Sequence, residues 1–185
     1  MSKVDLSAFS AGDFDKGASR VKIIVWYFVN SLLVRASWNP CMRVKIVLLR
    51  AFGACIGKGL VIKNNVTIKF PWKLTIGDNV WLGEQCWIDN LDYVTIGNNV
   101  CISQGALLLT GNHDYTVSSM PYRNASITLE DGVWVGSKAV VCPGVRMREN
   151  SIATVGSVIT KNTEADGIYQ GTPAKMIRKR EVNDE

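Results

Sequence analysis

Aliphatic side chains return at every sixth position through most of this chain. The series runs Ile56, Ile62, Ile68, then Ile76, Leu82, Ile88, then Ile96, Ile102, Leu108, and finally Leu129, Val135, Val141, Met147, Ala153 and Ile159. Two residues before each of these the side chain is usually small or β-branched, as at Val80, Cys86, Val94, Ala106 and Ser157. Alternate residues of a strand point the same way, so each hexad predicts a short strand with two inward side chains, followed by a corner. A helical period of 3.6 cannot produce this spacing. Strands this short cannot pair alone. They bury their aliphatics only by stacking coil upon coil, which predicts a parallel β-helix. Glycine follows the aliphatic at Gly57, Gly77, Gly83, Gly97 and Gly136, where a tight corner wants either a positive φ or no Cβ.

The interruptions of phase carry as much information as the repeat. Ile68 to Ile76 and Ile88 to Ile96 are steps of eight, each containing a two-residue insertion. Leu108 to Leu129 is a step of 21, so about 15 residues leave the solenoid there. This excursion, 110–126, contains Asn112, His113, Asp114, Tyr115, Met120, Pro121 and Tyr122. A long loop in an otherwise strict solenoid is where a functional group is expected.

Outside the repeat, residues 20–36 are apolar nearly all round, and 43–52 form a second helical stretch after the break at Pro40. One reading is a helical cap over the open end of the solenoid. Another is a basic amphipathic element lying on an anionic membrane surface, and the two roles are compatible. Residues 171–180 leave the six-residue phase and are strongly basic, which predicts a helix or extended tail folded back over the last coil. The predicted organisation is an N-terminal helical cap segment over 1–53, the β-helix over 54–165 with its excursion, and a basic tail over 166–185.

Charge narrows the partners. The net charge is +5, but residues 1–52 hold 8 basic and 3 acidic side chains, while the remainder holds 13 of each. No general field for nucleic acid remains, and no RNA-binding or zinc-finger signature accompanies the basic segment, so no nucleic-acid partner is expected. The five cysteines, with no Cys-x-x-Cys, read as reduced thiols. No apolar run approaches the roughly 20 residues of a membrane-spanning helix. The start, Met-Ser-Lys-Val-Asp-Leu-Ser, lacks the apolar core of a secretory signal, so a cytoplasmic location is expected.

Four segments carry a resemblance: Thr110-Gly-Asn-His113, Leu129-Glu-Asp-Gly-Val-Trp-Val-Gly136, Cys142-Pro-Gly-Val145 and Gly171-Thr-Pro-Ala-Lys175. They resemble the signatures of the hexapeptide-repeat acyltransferase superfamily, in the sugar O-acetyltransferase branch that includes maltose and galactoside acetyltransferases. Cys101-Ile-Ser-Gln-Gly-Ala106 and the His-Asp-Tyr of the loop are most similar to colanic acid biosynthesis acetyltransferases. The resemblance spans 54–180. It implies an all-β, three-faced, left-handed parallel β-helix, against the right-handed preference of ordinary crossovers. With three slots per coil, the fifteen slots predict about five coils.

The resemblance also implies a reaction: direct transfer of acetyl from acetyl-CoA to a sugar hydroxyl, with no metal. His113, the sole histidine, would be the general base, since imidazole titrates near neutrality. The backbone N–H of Ser137 would stabilise the oxyanion. Ser137, Val155, Thr160, Lys161, Lys175 and Arg178 fall on positions that contact coenzyme A along an edge between two prisms. Lys175 stands where relatives often have Arg, which leaves a bidentate contact there in question. Asp89 matches an acceptor-binding aspartate, or is a turn residue of its insertion. Acceptor contacts near Gln85, where relatives carry Asn, would differ.

Trp81, Trp87 and Trp134 each precede an inward aliphatic and should point outward. Packing in a homotrimer would cover them, as would stacking of sugar or cofactor. The acceptor would be a sugar or lipid-linked saccharide, an exopolysaccharide precursor, met at the inner face of the membrane through residues 1–52. A chloramphenicol-type xenobiotic acetyltransferase and a non-catalytic scaffold remain alternatives, as does an acyl-cysteine route through Cys101 or Cys142. The trio of histidines used by hexapeptide-repeat carbonic anhydrases is absent from a single chain. The 52 residues before the repeat are too few for the N-terminal domain of a serine acetyltransferase.

Overall fold

In the computed structural model, which describes residues 3–182, the hexads form fifteen short strands stacked into a three-faced parallel solenoid. Face A carries Cys55–Ile56, Leu74–Ile76, Val94–Ile96, Ile127–Leu129 and Arg146–Met147. Face B carries Val61–Ile62, Trp81–Leu82, Cys101–Ile102, Trp134–Val135 and Ile152–Ala153. Face C carries Thr67–Ile68, Trp87–Asp89, Leu107–Leu109, Val140–Val141 and Val158–Ile159. Equivalent residues of successive coils pair directly, as Thr75 with Thr95 with Thr128, and Trp81 with Cys101 with Trp134.

The core is the one that the period demands. Ile68, Ile88, Leu108 and Val141 form a fully buried column behind face C, and Val66, Cys86, Ala106 and Ala139, two residues earlier, are buried beside them. The outward positions separate the faces chemically. Face A presents the threonines at 75, 95 and 128, whereas Trp81 (59% exposed), Trp134 and Trp87 stand on B and C.

The coil count of about five needs correction. Five coils are complete, and the chain continues into a sixth turn. Thr163 N–H bonds to Arg146 O at 3.1 Å, and Asn162 Oδ1 accepts from Arg146 N–H at 2.8 Å, so polar residues extend face A. The strand Gly167–Gly171 then extends face B, and Ala174–Lys179 pairs antiparallel with it. On face A hydrogen bonds take the place of aliphatics, and on face B Ile168 is buried and Tyr169 packs on the core out of the six-residue step, so the hydrophobic period ends before the solenoid does. The basic tail is thus a hairpin strand, and Arg180 closes the end by donating to Gly132 O and Asn150 O at 3.0 and 3.3 Å.

At the corners, the glycine after the aliphatic has no room for a Cβ because backbone of the next coil lies against it. At Gly77 a Cβ would lie 2.7 Å from the carbonyl oxygen of Gly97. The left-handed residues come two positions later, at Gly59, Asn79, Gln85, Asn99 and Lys138.

The N-terminal helices close the first coil. Helix α1 (Arg20–Val29) runs into a π-helical turn over Asn30–Val34, and α2 (Met42–Ala51) follows. Trp26, Val34 and Leu49 are buried in the solenoid's own core cluster, and Trp26 Nε1–H donates to Ile68 O at 3.2 Å. Lys45 is fully buried yet bonds to Asn64 Oδ1 at 2.8 Å, and desolvation lowers its pKa. Among the described residues no helix is long and apolar enough to cross a membrane.

Candidate active site

All three phase breaks leave the solenoid at the corner between faces C and A, in three successive coils. The base of the excursion is locked by Thr110, which is buried. Its hydroxyl donates to Asp89 O and accepts from Asp92 N–H, both at 2.9 Å. Above it the excursion folds back on itself: Arg123 N–H bonds to Asn112 O, and Asp114 N–H to Pro121 O, each at 2.8 Å. Asp114 begins the tight turn at the tip. Its carboxylate accepts from the Thr116 hydroxyl and backbone N–H, which hold its pKa below the usual range.

His113 sits at the closing pair of this hairpin, bridged to Tyr122. Its Nδ1 lies 2.6 Å from the carbonyl oxygen of Met120. A carbonyl only accepts, so Nδ1 carries the proton and Nε2 of the neutral ring keeps a free lone pair. Met120 has φ 46°, a left-handed conformation that costs a non-glycine residue about 1–3 kcal/mol. The Tyr122 ring lies 4.9 Å from the imidazole, tilted by 30°. Neither the Met120 carbonyl nor Tyr122 had been singled out as a partner of the imidazole, because the turn that brings them to it has no sequence period.

A second feature runs along the corner between faces B and C. On the A/B corner, side chains of the next coil cap the backbone: Lys58 N–H bonds to Asp78, Asp78 N–H to Asn98 and Asn98 N–H to Asp131, at 2.6–2.8 Å. On the B/C corner the equivalent positions are Glu84, Gln104, Ser137 and Val155, and their backbone N–H groups meet no acceptor among the described residues. Ser137 Oγ donates to Gln104 Oε1 at 3.1 Å, and Trp134 Nε1–H to Ser103 Oγ at 2.9 Å. Beside them a depression of about 480 Å³ is lined by Trp81, Cys101, Glu84 and Gln104. The open column of donors could have been anticipated from the lack of Asp or Asn at 104, 137 and 155.

The candidate residues therefore fall in three places. Ser137, Val155 and Gln85 lie on the B/C corner, with Gln85 in a left-handed conformation (φ 60°). His113, Asp89, Thr160 and Lys161 lie on the C/A corner. Lys175 and Arg178 lie on the outermost strand. Face C separates the first two groups, so one chain does not bring His113 to Ser137, or Gln85 to Asp89. Asp89 ends its strand, nearly buried, with Oδ1 2.9 Å from Lys69 Nζ, an ion pair without an aligned hydrogen bond. Lys161, Lys175 and Arg178 make no ion pair among the described residues. Burial raises the pKa of the Cys142 thiol and pushes that of Cys86 up to about 12, away from the thiolate a nucleophile needs. Among the described residues no three metal-ligating side chains gather.

No protein-family model matches the sequence. Whole-chain likeness does define its class: the chain belongs to the hexapeptide-repeat acetyltransferases, which are left-handed β-helix enzymes. It is 34% identical over 178 residues to the colanic acid biosynthesis acetyltransferase WcaF of Escherichia coli K12, covering 95% of this chain and 97% of that one. It is 30% identical over 141 residues to the galactoside O-acetyltransferase of the same organism, covering 74% of this chain and 68% of that one. In fold it is similar to the hexapeptide-repeat acetyltransferase VCA0836 of Vibrio cholerae O1 biovar eltor, solved with acetyl coenzyme A. There the TM-score is 0.78 at 19% identity, over 95% of this chain and 97% of that one.

Proposed function

We propose that this protein transfers acetyl from acetyl-CoA directly to a hydroxyl of a sugar, an exopolysaccharide precursor, with His113 as general base. The observation that carries this reading is the 2.6 Å contact of Nδ1 with the Met120 carbonyl, which reserves the Nε2 lone pair for the acceptor proton. As Nε2 takes that proton, the acceptor oxygen bonds to the thioester carbonyl carbon. The Ser137 N–H stabilises the resulting oxyanion. Collapse breaks the C–S bond, and the departing CoA sulfur receives the proton from the imidazolium. The uncapped donors of the B/C corner, with Val155, on one subunit and Thr160 and Lys161 of the C/A corner on the next suit a long anionic thioester between them, and the cations Lys161, Lys175 and Arg178 suit its phosphates. Asp89 and Gln85 are assigned to the acceptor. The names of the two E. coli relatives support the sugar and polysaccharide reading. The test is acceptor-dependent release of CoA thiol, screened over sugars, nucleotide sugars and chloramphenicol-like alcohols. Sugar-dependent release is expected; release with chloramphenicol alone would transfer the assignment to xenobiotics.

The separation of His113 from Ser137 by face C supports a homotrimer, in which the C/A corner of one subunit would meet the B/C corner of the next. The outward tryptophans on B and C supply an apolar surface for that packing. Sedimentation equilibrium should give three times the 20.4 kDa chain mass, and a stable monomer would leave every site incomplete.

A place at the cytoplasmic face of the membrane fits the N-terminal segment. Val21, Ile24, Tyr27, Phe28 and Leu32 of α1 and the turn after it are exposed, within residues that carry 8 basic against 3 acidic side chains. Each cation near an anionic surface contributes roughly 1 kcal/mol. That attraction is screened over about 8 Å at physiological salt. Flotation should show weak binding to anionic vesicles that fades as salt rises. Equal, negligible binding to anionic and neutral vesicles would leave the segment as a cap alone.

A further inference from the structure

The described residues before α1 run along the C/A corner, over the connections where the repeat breaks phase. Residues 3–13 are exposed throughout, so they add nothing to the core, yet they are tied down at both ends. At one end Lys73, from the first insertion, is 7% exposed. Its ammonium donates to Asp15 O at 2.6 Å and to Leu91 O of the second insertion at 2.8 Å. The same ammonium lies 5.1 Å from the Phe14 ring centre, and Trp72 Nε1–H donates to Lys16 O at 2.7 Å. At the other end Asp5 N–H donates to Ser118 O, in the tip of the excursion, at 2.9 Å. Between the two anchors Phe14 packs on Tyr122 at 4.8 Å. Phe9 meets Tyr122 edge-on at 5.5 Å and the imidazole of His113 at 5.9 Å, inclined by 61°.

We propose that residues 5–16 are a strap and that Phe9 is a positioning residue for His113. The inference rests on the reading of His113 as the base. An imidazole turns easily about its Cβ–Cγ bond, because that torsion has broad minima. Tyr122 covers one side of the ring, and a single hydrogen bond to Met120 sets the tautomer. Phe9 adds an edge contact from the strap that keeps the ring in the plane of that bond. Without it the ring swings, the bond to Met120 lengthens, and the proton redistributes between the nitrogens. A base whose lone pair is only partly available, or is displaced by an ångström, loses on the order of 10- to 100-fold in turnover.

Because His113 is the sole histidine, its ring nitrogens give one isolated set of NMR signals that reports the tautomer without any assay. In the full-length protein, Phe9→Ala is expected to shift these signals toward a mixed tautomer. It should also lower kcat by about tenfold with KM for acetyl-CoA unchanged. Phe9→Tyr should restore both. Unchanged ring signals in Phe9→Ala overturn the proposal. So do shifted signals with unchanged kcat in a protein that His113→Ala inactivates. If His113→Ala itself retains full turnover, the base reading falls, and the ring signals still decide whether Phe9 sets the tautomer.

Discussion

Replacing His113 with Ala should lower kcat by about 10²–10⁴-fold while acetyl-CoA binding is retained. The size follows from the role: without a base, the acceptor hydroxyl must attack while still protonated, or lose its proton to water. The specificity of the effect follows from placement. Ser137 and Val155 stand on the B/C corner, Thr160 and Lys161 two coils beyond His113 on the C/A corner, and Lys175 and Arg178 on the outermost strand, so none depends on the imidazole for its position. The substitution should spare the fold as well, since His113 belongs to the excursion and not to the buried columns. Among the described residues it makes the ring's bond to Met120 O and a backbone bond to the Asn112 side chain, and only the first is lost. Calorimetry with acetyl-CoA, unfolding curves and steady-state rates on one preparation separate these statements. Turnover equal to that of the parent protein would remove His113 from the chemistry and return the scaffold reading to the front.

Much of this architecture is written locally. A hexad places two side chains inward wherever it occurs, and the buried columns behind the three faces are the residues the spacing selects. The sixth turn escaped the pattern because Asn162 and Thr163 hold it by hydrogen bonds, which leave no mark in hydrophobicity. The strap escaped for a different reason. Residues 3–13 have no period, and their partners lie in insertions and a loop tens of positions away. The insertions themselves were visible as steps of eight, but their shared corner becomes apparent only once three slots make a coil. His113 was prominent as a lone histidine in the longest excursion, whereas its tautomer depends on the left-handed φ of Met120.

The corner glycines join fold to chemistry most tightly, and Gly136→Ala tests that connection. A Cβ there would lie 2.6 Å from the carbonyl oxygen of Ala153 and 2.9 Å from the Thr154 carbonyl carbon and the Val155 nitrogen. All three are backbone atoms, so no side chain can rotate out of the way. The Gly136 N–H also donates to the same Ala153 oxygen at 2.8 Å, and the coils cannot separate without stretching that bond. Overpacking of this kind costs about 1–3 kcal/mol. The displaced backbone includes the next amide, Ser137, whose N–H is the proposed oxyanion donor. Loss of one such donor typically lowers kcat by about 10²–10³-fold. Gly77→Ala is the matched control. Its Cβ would meet the carbonyl oxygen of Gly97 at 2.7 Å on the A/B corner, far from the uncapped donors. Both variants should lose comparable stability in denaturant unfolding, while only Gly136→Ala loses turnover per folded molecule. If the two are equally destabilised and both keep the parent kcat, the Ser137 N–H does not hold the oxyanion, and the donor must be sought elsewhere along that corner.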